Sequence, residues 1–313
     1  MLANYPSFPY AEDENQAYAQ QMSSTWKFYL PEDSRPHGLM IDSVVKRMPW
    51  TADFSVASKE RQIRLLRPEG DNWQKKCTQI LDYQVQLARE KGAFPKLGKH
   101  RGEQFPIVGA KFPVGIDRSA FSLFGLVGRG VHMTAYTQQG HEYRFWVPQR
   151  NLEKSTYPGM LDNTVAGGMA IGEEPFECLI REASEEAGMS EEQIRRDTLA
   201  VGTVTWMNIS DERAGGESGL INPGVLFVYD LQVSESATFK PVDGDVQAFH
   251  LMNTHDAKVA MLDGKFKPAS ANVLLDFMVR HGLITAEEEP AYTEIVSRLH
   301  RKLPLSTISL SPQ

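Results

Sequence analysis

The chain has 313 residues, of which 41% are hydrophobic and 23% charged, a composition typical of an ordinary globular protein with one large domain or two. Its net charge of −7 argues against a broad nucleic-acid-binding surface, because such a surface concentrates positive charge. Two cysteines, Cys77 and Cys178, cannot form a disulfide framework and favour a reducing compartment, and no stretch approaches the roughly 20 apolar residues of a membrane-spanning helix.

The beginning of the chain is polar. Residues 1–20 contain Tyr-Pro and Phe-Pro pairs, which predict a loosely attached arm. Acids stand at positions 12–14, and Lys27 is the single base of the first thirty residues. This pattern disfavours a secretory signal and an Arg-rich transit peptide. We therefore expect a cytoplasmic protein with neither membrane nor nucleic-acid partners.

Residues 21–125 predict an α+β accessory module. Apolar runs at 38–41 and 62–66 are typical of short strands, and residues 76–91 carry apolar side chains at helical spacing. A basic loop follows, for which a solvated linker is favoured over a phosphate site; its residues are Lys91, Lys96, Lys99, His100 and Arg101. The role of the module is left open between completing a substrate pocket and mediating contacts in a homodimer.

Residues 126–285 predict the second domain, and residues 286–313 predict a C-terminal helical extension. Strand patterns occur at 130–136, 143–148, 199–206, 224–231 and 247–252. The glycine-rich segment 214–219 predicts a flexible loop of the kind that covers an active site. Helices are predicted at 268–282 and 286–302, and the acids at the start of the second helix and the bases at its end match the helix macrodipole.

The run from Gly167 to Met189, called the box below, predicts a helix with chemistry on one face. Pro175 suits the first helical position and Gly188 the residue past the helix end, where a positive φ is needed. A buried apolar stripe is predicted at Phe176, Leu179, Ile180, Ala183 and Ala187. Three carboxylates share another face, at Glu182, Glu185 and Glu186. Like charges this close are destabilising unless a cation such as Mg²⁺ neutralises them.

A run of three glutamates is by itself more often a solvated helix face. Arg181 beside the carboxylates and Glu173 at a fixed distance favour the metal site instead. Gly167 and Gly168 would let the backbone approach substrate phosphates closely. Cys178, in the same helix, is interpreted as a small packing residue rather than a reactive thiol.

The box fits the pattern G-x5-E-x7-R-E-U-x-E-E-x-G-U, where U is apolar, at every fixed position. The chain therefore resembles the Nudix hydrolases. The resemblance implies an α/β/α sandwich with a mixed sheet, and a hydrolase of small-molecule diphosphates that uses Mg²⁺ or, alternatively, Mn²⁺. It implies that the metal is held by Glu182, Glu185, Glu186 and the carbonyl of Ala166, and that Arg181 belongs to the catalytic set. It also implies that Glu173 and Arg181 form a structural brace.

Three stretches outside the box are similar to the thiamine pyrophosphokinase-related Nudix proteins of fungi and plants, namely residues 154–168, 266–277 and 294–304. Residues 35–38 and 48–51 resemble the fungal branch in particular. This narrower resemblance implies a diphosphatase that converts oxidised (oxo or oxy) thiamine diphosphate to the monophosphate, a reaction of metabolite-damage repair.

Alternative functions remain within and outside this class. The substrate could instead be ADP-ribose, a nucleotide sugar or an oxidised nucleotide. Isopentenyl diphosphate isomerases need a cysteine in the approach to the box, and residues 164–168 contain none. A non-catalytic ligand-binding module would usually have lost box glutamates, whereas this chain keeps all of them.

The general base is not fixed by the pattern. Glu182 is the first candidate, and Asp245 and Glu217 are external candidates that compete with an interpretation as ordinary turn acids.

Overall fold

The computed structural model describes residues 7–98 and 102–308. Residues 1–6 of the predicted arm lie outside the described residues, as do Lys99, His100 and Arg101 of the basic loop and residues 309–313 of the extension. The helices are α1 (Asn15–Ser24), α2 (Asp42–Arg47), α3 (Trp73–Glu90), α4 (Pro175–Ala187), α5 (Glu191–Asp197), α6 (Thr254–Leu262), α7 (Pro268–Arg280) and α8 (Tyr292–Leu299). The strands are β1 (Trp26–Tyr29), β2 (Gly38–Met40), β3 (Phe54–Ala57), β4 (Gln62–Leu65), β5 (Gln104–Pro106), β6 (Gly115–Asp117), β7 (Gly128–Gln139), β8 (Glu142–Arg150), β9 (Val165–Gly168), β10 (Thr198–Ile209), β11 (Ile221–Gln232) and β12 (Val246–Asn253).

The accessory module contains a small mixed sheet with the strand order β2-β1-β4-β3. Strands β1 and β4 are parallel, with Phe28 opposite Ile63, and both of these side chains are fully buried. Helix α3 contributes Cys77, Leu81 and Val85 to the same core, because a spacing of four residues keeps them on one face. A separate hairpin, β5–β6, follows this core in the chain.

The second sheet has the order β10-β11-β7-β8-β12, with β9 attached to β7. Strand β7 lies in the middle, and its residues 130–137 are buried, as expected for a strand covered on both faces. It pairs with β9 through residues 130–133 and with β8 through residues 136–139. The partner of β7 therefore changes along its length, and the sheet divides next to β9.

Helices cover both faces of this sheet. One core joins α4 to the apolar side chains of β7 and β9, including Leu179, Val131 and Val165. The opposite core joins α6, α7 and α8 to other strand residues, including Phe277 and Phe145. Because β7 and β11 are parallel while the other pairings are antiparallel, the sheet is mixed. The predicted α+β class, with an α/β/α sandwich after a smaller module, is confirmed.

The two ends of the chain differ from the prediction. Phe8 is fully buried, and the guanidinium of Arg301 donates to the carbonyls of Phe8 and Pro9 and lies 4.0 Å from the ring centroid of Tyr10. Residues 7–20 are therefore held by the C-terminal segment rather than loosely attached. Phe8 and Tyr18 contribute apolar contacts to this end of the molecule, which the mostly polar composition of the segment does not indicate.

The last helix is also shorter than predicted. It spans Tyr292–Leu299 rather than 286–302, because Pro290 interrupts the N-terminal part and His300 forms a bridge to Thr205 of β10. The acids at 287–289 thus precede the helix and Arg301 follows it. The helix-macrodipole interpretation of the basic cluster is wrong for Arg301, whose side chain binds the N-terminal segment instead.

In the part of the chain that the structure describes, no helix combines the length and the apolar character needed to cross a bilayer.

Candidate active site

Helix α4 presents the glutamates, and its ends lie at the predicted residues. It begins at Pro175 and is followed by Gly188, whose φ of 63° is left-handed. The N–H of Gly188 donates to the carbonyl of Ser184 at 3.2 Å, and the N–H of Met189 donates to that of Ala183 at 3.1 Å. These bonds satisfy carbonyls that the helix end would otherwise leave unpaired. The helix therefore stops one residue after Glu186.

Strand β9 lies against this helix and leaves space only for glycine. A Cβ atom added to Gly167 would lie 2.1 Å from Cδ of Glu182, a distance that would force the carboxylate to move. A Cβ atom added to Gly168 would lie 2.5 Å from the ring of Phe105. The glycines thus allow close contact with a carboxylate on one side and with an aromatic ring on the other.

Arg181 connects the first glutamate of the box to the later ones. Its Nε donates to Oε1 of Glu173 at 2.8 Å and its Nη2 donates to Oε2 of the same residue at 3.2 Å, so this pair is bidentate. Its Nη1 donates to Glu182 at 2.8 Å and to Glu185 at 3.0 Å. The hydrogen bonds to Glu173 raise the pKa of Arg181. The structure therefore brings together Glu173 and Arg181 as the predicted brace would require.

Two of the glutamates are recessed. Burial raises the pKa of Glu182, although the charge of Arg181 opposes the shift, and the Glu182 side chain is 15% exposed. Burial also raises the pKa of Glu186 well above its usual value, and the negative charge of Glu182 adds to the effect. Glu185, in contrast, is 52% exposed. The recessed pair carries unfavourable like-charge repulsion that a bound cation would offset.

The N–H of Ala166 donates to Oε2 of Glu186 at 3.0 Å. This N–H group therefore points away from β7, the strand on which His132 stands opposite Ala166. In an extended strand the carbonyl of a residue points to the same side as its N–H. The carbonyl of Ala166 is thus directed towards the glutamate face.

The chemistry of these donors fits a hard divalent cation, because Mg²⁺ prefers carboxylate and carbonyl oxygens. Among the described residues, no three acidic, histidine or cysteine side chains are arranged as a ready cluster of metal ligands. Arg181 binds one oxygen of Glu182 and one of Glu185, so the second oxygen of each carboxylate is not used by the arginine.

Comparison with known proteins agrees with this geometry. The family model described as the NUDIX domain matches residues 128–277, from the start of β7 into α7. The chain belongs to the Nudix superfamily. The prediction from the box is confirmed at this level, whereas the thiamine-related subgroup stays a prediction.

Individual relatives cover part of the chain. It is 36% identical over 216 residues to the Saccharomyces cerevisiae protein YJR142W, and this match covers 67% of the chain and 63% of the yeast protein. It is 34% identical over 224 residues to Nudix hydrolase 20 of Arabidopsis thaliana, a chloroplastic protein, over 70% of the chain and 56% of that protein. A crystal structure of a Deinococcus radiodurans protein aligns with this chain at 20% identity and a TM-score of 0.39. The alignment covers 52% of this chain and 91% of the Deinococcus chain. The chain spans less than two thirds of the length of either sequence relative.

The two external base candidates lie in different surroundings of the Nudix domain. Asp245 forms an ion pair with Lys154 and is half exposed. Glu217 faces the accessory module, with its carboxylate 3.6 Å from Arg47 and both of its oxygens buried without a hydrogen bond. Asp243, in the same turn as Asp245, is one of the acids whose negative charge adds to the burial that raises the pKa of Glu186. The choice of Asp245 or Glu217 as an external base stays a prediction.

The accessory module contacts the Nudix box directly. The N–H of Ile171 donates to the carbonyl of Gln104 in β5 at 3.1 Å, and the ring of Phe105 covers Gly168. Burial raises the pKa of Glu182, and the positive charge of Arg118, which follows β6, opposes that rise. Sequence analysis missed Phe105 and Arg118, because no local pattern indicates that a hairpin docks on a loop about 65 residues later in the chain.

A buried polar network beside the Nudix box was also missed. Asp162 is 4% exposed and binds the side chains of Arg150, Lys267 and Ser270. Burial alone would raise the pKa of Asp162, but the charges of Lys267 and Arg150 hold it well below its usual range. Asp162 and Lys267 both lie in stretches that the subgroup resemblance singled out, and that was the available signal.

Proposed function

We propose that this chain is a magnesium-dependent diphosphatase whose substrate is oxidised (oxo or oxy) thiamine diphosphate, which it hydrolyses to the monophosphate. The observation that carries the hydrolase assignment is the recessed pair of Glu182 and Glu186 against β9, inside a box with every fixed position filled. The stretches at 154–168, 266–277 and 294–304 support the thiamine assignment through their family resemblance. Cytoplasmic localisation and a homodimer stay predictions.

Glu182, Glu185, Glu186 and the carbonyl of Ala166 would hold Mg²⁺ or Mn²⁺. A divalent cation at this position supplies Lewis acidity towards the diphosphate oxygens. In the overall reaction a water oxygen forms a bond to phosphorus as the bridging P–O bond breaks, which yields the thiamine monophosphate derivative and inorganic phosphate. The bidentate pair of Glu173 and Arg181 fixes the loop before α4, so that the carbonyl groups near Gly168 keep their position.

The proton of the attacking water needs an acceptor, and Glu182 is our first choice. It is recessed under Gly167, whereas Glu185 is half exposed. We expect Asp245→Asn and Glu217→Gln to keep near-normal turnover, since their carboxylates face Lys154 and Arg47. Loss of a true general base lowers turnover by about 100-fold or more. Such a loss in either variant, or in Asp243→Asn, would move the base outside the box.

A substrate panel tests the proposal. The purified protein is incubated with Mg²⁺ and thiamine diphosphate, its oxo and oxy forms, ADP-ribose, nucleotide sugars or an oxidised nucleotide, and release of phosphate and monophosphates is followed. We expect preference for the oxidised thiamine forms and loss of turnover in Glu186→Gln, whose side chain is nearly isosteric. Preference for ADP-ribose or a sugar nucleotide would keep the hydrolase and reject the thiamine substrate. Tight binding of one compound without turnover would favour a ligand-binding module.

A further inference from the structure

One buried acid next to the Nudix box is shared by two cations. Asp162 accepts hydrogen bonds from Nη1 of Arg150 at 2.9 Å, from the N–H of Asn163 at 2.9 Å and from the hydroxyl of Ser270. The ammonium of Lys267 lies 3.4 Å from the same carboxylate. Because one negative charge faces two positive charges, the cluster carries a net charge of about +1.

The two cations differ in the donors that they have left. Arg150 also donates from Nε to the carbonyl of Tyr157 at 3.1 Å and from Nη2 to that of Thr156 at 2.9 Å, so each of its three guanidinium nitrogens already donates a hydrogen bond. Lys267 has three N–H donors, and within residues 7–98 and 102–308 its ion-pair partner is Asp162, at the long distance of 3.4 Å. Lys267 is therefore the cation with donors available for a ligand.

The backbone fixes Lys267 before any ligand arrives. Its N–H donates to the carbonyl of Leu161 at 2.9 Å, and its carbonyl accepts from Ser270 at 3.0 Å and Ala271 at 2.9 Å at the start of α7. Its side chain keeps 20% exposure even though burial is the main cause that lowers its pKa. The side chain is therefore partly accessible to solvent although it packs closely against its neighbours.

The cluster of Asp162, Arg150 and Lys267 borders the strand that carries the box glycines. Asn163, next to Asp162, bonds to Nδ1 of His132 at 2.6 Å, and His132 stands opposite Ala166 on β9. Ala166 in turn donates to Glu186, and the charges of Glu186 and Lys267 act on each other. The acids that would hold a metal, and Lys267 as a cation with spare donors, therefore flank the same short segment.

We propose that Lys267 binds a phosphate group of the diphosphate substrate, while Arg150 and Asp162 hold its ammonium in place. This inference rests on the proposed function for the class of ligand. Phosphate oxygens are strong acceptors for ammonium donors, and cations placed around a transferring phosphoryl group offset its charge. Lys267 is not needed to satisfy Asp162, which already has Arg150 and two further donors.

The test measures binding and turnover in Lys267→Gln and Lys267→Arg. Lys265→Gln is the matched control, because Lys265 is two residues away, 62% exposed and paired with Asp263. The probe is methylenediphosphonate, titrated calorimetrically with and without Mg²⁺. We expect Lys267→Gln to weaken probe binding about tenfold, as for one lost charge-assisted hydrogen bond. Lys267→Arg should retain most of the affinity and Lys265→Gln all of it, and KM should rise in Lys267→Gln with a much smaller change in kcat.

Several results would overturn the inference. An unchanged probe affinity and an unchanged KM in Lys267→Gln would overturn it, even if the protein hydrolyses diphosphates rapidly. Failure of the wild-type protein to bind the probe would also overturn it. If Lys267→Gln is unstable, the double variant with Asp162→Asn removes both charges of the pair. Restored probe affinity in that variant would show that Lys267 acts only as a counter-ion of Asp162, which would overturn the inference. Conversely, probe binding that depends on Lys267 without turnover of any diphosphate would reject the proposed function and leave this inference standing.

Discussion

At Gly167 the absence of a side chain determines where a carboxylate can lie. The backbone of β9 passes so close to α4 that the space of a Cβ atom is filled by Cγ and Cδ of Glu182, each 2.1 Å away. The glycine is therefore required by close approach, not by an unusual backbone angle. Since Glu182 is also bound by Arg181 at 2.8 Å, displacement of its carboxylate would alter the whole group of acids.

We expect Gly167→Ala to fold but to lose activity. Overpacking of this kind typically destabilises a protein by about 1–3 kcal/mol. A carboxylate displaced by about 1 Å can lower turnover by about 100-fold. The measurements are kcat/KM on the best diphosphate of the panel and the free energy of unfolding in urea. Gly128→Ala is the control, because its added Cβ would lie an ordinary 3.8 Å from Phe121. Unchanged kcat/KM in Gly167→Ala would show that Glu182 does not have to stay at this position.

The sequence predicted the residues of the box but not their neighbours, for a physical reason. Glu182, Glu185 and Glu186 lie within one helical turn of each other, so spacing alone places them together. Asp162 and Lys267 are 105 residues apart, and their contact depends on the pairing of residue 161 with residue 266. A charged residue in a sequence does not indicate its distant partner. Local patterns therefore find the acids of the box and miss the buried network beside it.

Helix ends show the same distinction at the scale of secondary structure. Helix α4 begins and ends where Pro175 and Gly188 predict, because both signals act through local backbone geometry. Helix α8 is shorter than predicted, because tertiary contacts fix its end, among them the bond from Thr205 to the carbonyl of Arg301. Local geometry predicts boundaries well when a proline or glycine carries the signal.

Gly188 and Gly282 allow the structural and functional effects of a helix end to be separated. Both have left-handed φ angles, 63° and 66°, so alanine at either should cost about 1–2 kcal/mol of stability. At Gly188 the new Cβ would also lie 3.0 Å from Val242, next to the turn that carries Asp243, whereas at Gly282 it would meet nothing within 4 Å. We expect both variants to lose stability in urea unfolding, and Gly188→Ala alone to lose kcat/KM, by about tenfold. Equal kcat/KM in the two variants would contradict a role for this helix end in placing Glu186.

Across the whole molecule, two of the contacts between the accessory module and the Nudix domain lie at loops near the candidate site or beside it. The hairpin β5–β6 docks on the loop before α4 through the bond from Ile171 to Gln104. On the other loop, a Cβ atom added to Gly216 would lie 2.8 Å from Cβ of Lys96, and Glu217 faces Arg47. The sequence predicted the segment 214–219 as a cover for the active site, and that role stays a prediction. The contacts favour the substrate-pocket alternative for the module, because one of them lies against the box itself.

Phe105→Ala tests this coupling between the two parts of the molecule. The Phe105 ring lies against Gly168, 5.7 Å from the ring of Phe121 and 5.3 Å from the guanidinium of Arg118. Its removal should cost about 3 kcal/mol or less, since large-to-small changes at full burial cost about 3–5 kcal/mol and this ring is only half-buried. We also expect kcat/KM to fall by about tenfold, because the loop that positions Gly168 and Glu173 loses its support.

The matched control is Tyr83→Ala, which removes an aromatic ring from the same module at a position that is 60% exposed, and which should leave both quantities near the wild-type values. Loss of stability in Phe105→Ala with unchanged kcat/KM would mean that the hairpin only anchors the module. Loss of both, with KM rising more than kcat falls, would indicate that the module forms part of the substrate pocket. In that case the Nudix domain depends on the preceding module for its binding site, and the module contributes to recognition as well as to folding.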